Sequence, residues 1–169
     1  MNNIYLIDAN TIKQYSLVTD NVDEKFINPT IIQSQVLGLQ PVIGTYLYDT
    51  ICRMVDDGVV EQYTSYNTLL EEYIKPYLIQ KVCSELQVAL FAKFTNNGMR
   101  QNTTMQGNGI GRTDVVYLKE HYDNNATFYL NRMVKYIQAN ISLYPEYARI
   151  RTTADMHKDD NSYNTHIVL

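Results

Sequence analysis

The sequence predicts an all-α fold: a small bundle of four to five helices with one long C-terminal helix, an extended loop between the two longest helices and a C-terminal arm. Three observations predict it. Apolar residues recur at steps of three and four over long stretches, the helical period. Each stretch has its own start and stop residues. No glycine or proline interrupts the longest of them.

The longest stripe runs from Thr113 to Leu143 through Val115, Leu118, Tyr122, Ala126, Tyr129, Leu130, Met133, Ile137 and Ile141. Thr113 or Asp114 can cap its start, and Pro145, which lacks an N–H, is expected to end it. Such a helix would reach roughly 45 Å, longer than a domain of this size usually needs. Upstream, Ile4, Leu6 and Ile7 suggest a short strand or extended arm, and Asp8 caps a short helix to about Tyr15. Asn28-Pro29 reads as the start of a helix carrying Ile31, Ile32, Gln35, Val36 and Leu39 and breaking at Gln40-Pro41. A second helix is expected from about Gly44 to Asp57, stopped by Gly58. A third runs from Tyr66 to about Tyr73 with Ser65 as its cap. A fourth opens at Pro76 and continues to about Thr95 through Leu78, Ile79, Val82, Cys83, Leu86, Ala89, Leu90 and Phe94, with Asn96-Asn97-Gly98 as its stop. The fourth helix and the long one are natural antiparallel partners. These readings divide the chain into an N-terminal arm and short helix (1–27), a helical domain (28–147) and a C-terminal arm (148–169).

Composition narrows the function. A net charge of −4 is unlike the basic face of a free-standing duplex-DNA binder. Cys52 and Cys83 sit inside helical patterns, where buried small hydrophobes are expected instead of a disulfide. No apolar run is long enough for a membrane span, and the first residues lack a basic-then-apolar leader, so no membrane is expected and synthesis is cytoplasmic. His121, His157 and His166 are scattered, so no metal cluster forms by spacing. Asp56-Asp57, Glu71-Glu72 and Asp159-Asp160 are adjacent carboxylates, and since neighbours in a helix point about 100° apart they are not read as acid–base pairs. Gly107-Asn108-Gly109-Ile110-Gly111 follows a helix and lacks the Gly-Lys-Ser/Thr of a phosphate loop. No cofactor and no enzyme activity are expected. Tyrosine occurs 15 times. A/T-rich codons account for much of that, and the residue also suits interfaces.

Two stretches lack core formers. Met99 to Arg112 is too long for a plain helix connection, which points to use. Its Asn108-Gly109 could turn a β-hairpin. The segment after Tyr147 is polar and ends in an apolar, β-prone tip. Met99, Arg100, Met105, Asn108, Ile110 and Arg112 in the first, with Arg149, Arg151, Ile167, Val168 and Leu169 in the second, are the candidate contacts between subunits or rings.

The segment Asn28–Asp49 resembles the head–tail connector (adaptor) proteins of tailed bacteriophages, in particular those of Bacteroidetes-infecting, crAss-like phages. The likeness rests on Ile31, Ile32 and Gln35, the Leu39-Gln40-Pro41 break, Ile43-Gly44 and the Tyr46-Leu47-Tyr48 helix start. It continues with Leu69-Leu70 before Tyr73-Ile74 and Pro76, Asn97-Gly98, and Tyr144-Pro145-Glu146-Tyr147, over residues 28–147. The resemblance implies a non-enzymatic helical subunit in a ring, most often of 12 copies, beneath the portal protein in the virion. That ring would extend the DNA channel without sequence-specific binding and would dock other ring or tail proteins. The alternative is a helical regulatory or nucleic-acid-binding module, which would need a basic recognition helix. The long helix instead balances Lys119, Arg132 and Lys135 against Glu120 and Asp123.

Overall fold

The computed structural model describes residues 4–95, 98–101 and 111–147, with the backbone alone for 92–95, 98–101 and 112. It is an all-α bundle with one small β-hairpin. Asp8 caps α1 (Ala9–Gln14) through its carboxylate, which accepts from the Thr11 N–H. The described residues before it, from 4 onward, do not stand off from the bundle. Leu6 and Ile7 are buried, and Gln35 sews them down. Its Oε1 accepts from the Leu6 N–H, while its Nε2 donates to the Ile4 carbonyl and the Tyr48 hydroxyl. A buried amide satisfied on both ends fixes irregular backbone that no ladder would otherwise hold.

The prolines do not sit where helices begin or break. The second helix, α2 (Glu24–Gln33), starts more than a turn before Pro29, because the Asp23 carboxylate accepts from the Lys25 N–H. Pro29 forfeits one bond, to the Lys25 carbonyl, on a stretch open to water. The chain then passes through a π turn (Ser34–Leu39) into α3 (Gln40–Ile43) without breaking at Pro41. The break comes at Gly44, whose φ of 81° suits glycine alone. From there α4 (Thr45–Asp56) runs to Gly58, and a 3-10 turn (Val60–Gln62) follows.

The next three pieces are one continuous rod: α5 (Thr64–Leu69), a π turn (Leu70–Ile74) and α6 (Lys75–Phe91). Ser65 lies inside α5 and is not its cap, and Pro76 opens no new helix. Both π turns end alike. The Gln40 N–H bonds to the Gln35 carbonyl, and the Lys75 N–H to the Leu70 carbonyl. In each case the last five-residue bond is donated by the residue immediately before a proline. The widened turn carries the helix up to a residue that has no N–H to offer.

The rod ends at Phe91, earlier than periodicity suggests. Strands β1 (Ala92–Thr95) and β2 (Gly98–Gln101) follow as an antiparallel pair. The long helix, α7 (Arg112–Ala139), begins after Gly111, whose N–H donates to Asp114. It stops six residues before Pro145. The Asn140 side chain donates to the Tyr136 carbonyl, and a 3-10 turn (Ile141–Leu143) leads out. Against α7, α6 runs antiparallel, with Gln80 meeting Asn125 and Tyr73 meeting Tyr136. The core joins Ile12, Ile27, Ile31, Leu39, Leu47, Ile51, Leu69, Leu78, Val82, Leu86, Met133 and Ile137, all fully buried. At ~25 cal/mol per Å² this burial is the main favourable term, largely offset by chain entropy.

Candidate interaction surface

Four charged side chains and a serine fasten α7 to the middle of α6. Lys119 pairs with Asp123 at 2.7 Å and with Glu85 at 3.6 Å, and Lys81 pairs with Glu85 at 2.8 Å and Asp123 at 3.2 Å. Buried Ser84 donates to Asp123 (2.7 Å) and accepts from Lys119 (3.0 Å). Burial would raise the Asp123 pKa, but the bonds from Lys119, Ser84 and Lys81 outweigh it and hold the carboxyl below its usual range. Every cation here has a carboxylate and every carboxylate a cation. The cluster therefore positions a helix and offers no free acid, base or nucleophile. Asp123 takes Lys119 from one turn earlier on α7 itself, while Lys81 and Ser84 come from α6.

Tyrosines close the far end. The Tyr144 hydroxyl, on a fully buried side chain, donates to the Ser65 carbonyl at 2.8 Å. Tyr66 donates to Glu146 at 2.8 Å and meets the Tyr144 ring edge-on at 5.5 Å. Tyr73 stacks on Tyr136 at 4.1 Å, with the Arg132 guanidinium 4.8 Å from the Tyr73 ring centre. Burial pushes Tyr66 up to about 12, so it stays a neutral donor. Burial likewise pushes Cys52 up to about 11 and Cys83 above the ordinary thiol value, which keeps both free cysteines protonated and inert.

What remains open to a partner lies on the surface. Tyr117 and Phe128 are 70% and 65% exposed, and eleven helical residues place them on one outer face of α7. His121, also exposed, sits between them, held to Asn125 at 3.3 Å. Tyr15 and Leu17 are exposed beside a groove of about 430 Å³ against α6, lined in part by Gln14, Gln80 and Tyr122. Among the described residues no three His, Cys, Asp or Glu gather as a metal site, and no helix is long and apolar enough to cross a membrane.

Of the sequence-derived contact residues, Met99 and Arg100 lie in β2, Arg112 is the first residue of α7, and the backbone alone is described for all three. Met105, Asn108, Ile110, Arg149, Arg151, Ile167, Val168 and Leu169 lie outside the described residues. The hairpin expected at Asn108-Gly109 lies there too. The hairpin that does form, over 92–101, escapes sequence reasoning, since 92–95 reads as the end of a helix. Its signal is Asn96-Asn97, the two turn-prone residues between the Thr95 and Gly98 rungs. In its register Ala92 faces Gln101, Lys93 faces Arg100, Phe94 faces Met99 and Thr95 faces Gly98. Phe94 and Met99 thus share one face of the ribbon, and Lys93 and Arg100 the other.

Comparison with curated proteins finds no match, and comparison with solved structures finds none either. A family profile matches residues 39–155, from the π turn before Pro41 through the whole of α7. That is well over half of the chain, which therefore belongs to the family of unknown function DUF6712.

Proposed function

We propose that this chain is a structural subunit of a phage head–tail connector, working by self-association into a ring below the portal protein. The observation that carries the reading is the ordered series of motifs from Ile31-Ile32 to Tyr144-Pro145-Glu146-Tyr147. The geometry is compatible with it. A long helix is pinned to its neighbour by a saturated ion-pair cluster, which leaves Tyr117 and Phe128 facing outward. Rigid aromatic side chains of this kind are favoured where proteins meet. The role is assembly, not catalysis. The partners are further copies of the chain, about twelve by the resemblance, together with the portal protein and other ring or tail proteins in the virion.

A channel that passes DNA must hold the duplex without gripping it. Cationic lining would exchange counterions for phosphates and slow passage. With each copy at −4, the ring's lumen is expected to be neutral or negative, and Arg100 and Arg112 to serve protein contacts. The test is native mass measurement of the purified chain, alone and mixed with the portal protein. The expected result is a discrete multimer that joins the portal. A chain that ignores the portal but grips duplex DNA in a salt-sensitive way would favour a nucleic-acid-binding module instead.

A further inference from the structure

Two places in this molecule carry charge that its own fold makes unfavourable. The first is the hairpin. Lys93 and Arg100 are directly opposed cross-strand residues, and like charges on one rung of an antiparallel pair destabilise it. From Ala92 to Arg112 the sequence holds Lys93, Arg100 and Arg112 and no acidic residue. The nearest carboxylate along α7, Asp114, is occupied at the helix start by the Gly111 N–H. A lone lysine can guard an open strand edge against unwanted pairing. A second cation opposite it adds repulsion to a two-stranded ribbon that is marginal by itself.

The second place is the far corner. Asp56 is the last residue of α4 and Asp57 its C-cap, where the helix dipole presents negative charge and carboxylates are disfavoured. Glu61 follows in the 3-10 turn. All three are exposed, and none makes an ion pair with the described residues. Arg53, one turn earlier, donates to the Asp49 carbonyl and the Thr50 hydroxyl. Val55, Val60 and Glu61 line one groove with Leu70, Glu71 and Lys75, so the corner flanks the first half of the rod, while the hairpin follows its end at Phe91. At 1.5 Å per residue, Lys75 to Phe91 spans roughly 25 Å, beyond the reach of a hairpin with four-residue strands.

We infer that the β1–β2 hairpin of one copy docks on the acidic α4 corner of a second copy, head to tail. Each surface relieves the other: carboxylates separate the opposed cations, and the cations offset charge at the wrong end of a helix. The distance between them forbids pairing within one chain. Two unlike surfaces on one copy make a heterologous contact, which closes into a ring when the rotation permits. The acidic balance of the whole chain favours this partner over a phosphate backbone. The inference rests on the self-association proposed above and supplies its contact.

The test uses two charge-reversed full-length variants. One is Lys93→Glu with Arg100→Glu, and the other is Asp56→Lys with Asp57→Lys and Glu61→Lys. Sedimentation measures self-association, and circular dichroism establishes that each variant is folded. The wild type should associate, and more weakly as salt rises. Each variant alone should lose at least about tenfold in affinity. An equimolar mixture of the two should recover association, because each then offers the other an opposite charge at both contacts. Recovery cannot come from misfolded variants. A wild type that stays monomeric, a mixture that does not recover, or a hairpin variant defective only in retaining duplex DNA would overturn the inference. The portal protein is absent throughout, so failure here is distinct from failure to join a portal.

Discussion

The two ends of the α6–α7 pair are finished in opposite ways. At the Thr64 end the chain satisfies itself. Tyr144 reaches the Ser65 carbonyl, Tyr66 reaches Glu146, and aromatic rings fill the space between. At the Phe91 end the helix gives way to a short ribbon with two cations on one rung. The difference teaches how the bundle is held: one end is closed by contacts within a single copy, while the other, on the reading proposed above, is the end offered to a second copy.

The comparison breaks most completely if the shared middle fails. Leu86→Asp or Met133→Asp places a carboxylate at a fully buried site at a cost of several kcal/mol, a large share of a domain's stability. We expect neither variant to fold, and an unchanged thermal melt by circular dichroism would contradict that. At the self-satisfied end, Tyr144→Ala should cost about 3–5 kcal/mol, mostly lost packing. Tyr144→Phe should cost about 1 kcal/mol, the hydroxyl's bond alone. Denaturant titration of both variants separates the two terms.

Between the ends, the ion-pair cluster should respond to acid. The folded pKa of Asp123 lies below the ordinary value of 3.8. Its contribution is therefore present above that value and lost as pH falls through the folded one. Replacing Asp123 by Asn should flatten the acid limb of a stability–pH curve by no more than about 1 kcal/mol, given its exposure to solvent. An acid limb identical to wild type would assign the cluster no role. The smallest effect belongs to the hairpin end. In the free chain, amides of β1 and β2 should exchange faster than those of α6, and assembly should slow them. Equal exchange in the free and assembled states would count against association through this end.

Much of the fold is legible because periodicity and glycine act locally. The α7 stripe, the Asp8 cap and the stop at Gly58 arise from residues within a turn or two of one another. Pro29, Pro41 and Pro76 mislead for a definite reason. Each is a strong local signal for a boundary, yet a helix carried by a large buried face can absorb one missing N–H. Before Pro41 and Pro76 it does so by widening a turn. Partners distant in sequence leave no local trace. Gln35 meets Leu6, and Asp123 meets Lys81, only after the chain has folded back. The cationic rung stays hidden while 92–95 reads as helix, since opposition across a ribbon has no meaning before the ribbon is drawn.

The π turn at Leu70–Ile74 has a consequence for insertion and deletion. A five-residue hydrogen bond covers about the turn and rise that four residues cover in an α-helix, so the rod carries one residue more than an unbroken α-helix of the same length and phase. Removing a single residue there would restore an ordinary helix and leave Tyr66 facing Glu146 while Lys81 and Ser84 still face Asp123. The same deletion elsewhere in the rod would turn one half against the other by about 100°, and one of the two contacts would be lost. The segment should therefore tolerate the loss of a residue where the rest of the rod does not. The surplus residue is slack taken up at one point along a common shaft.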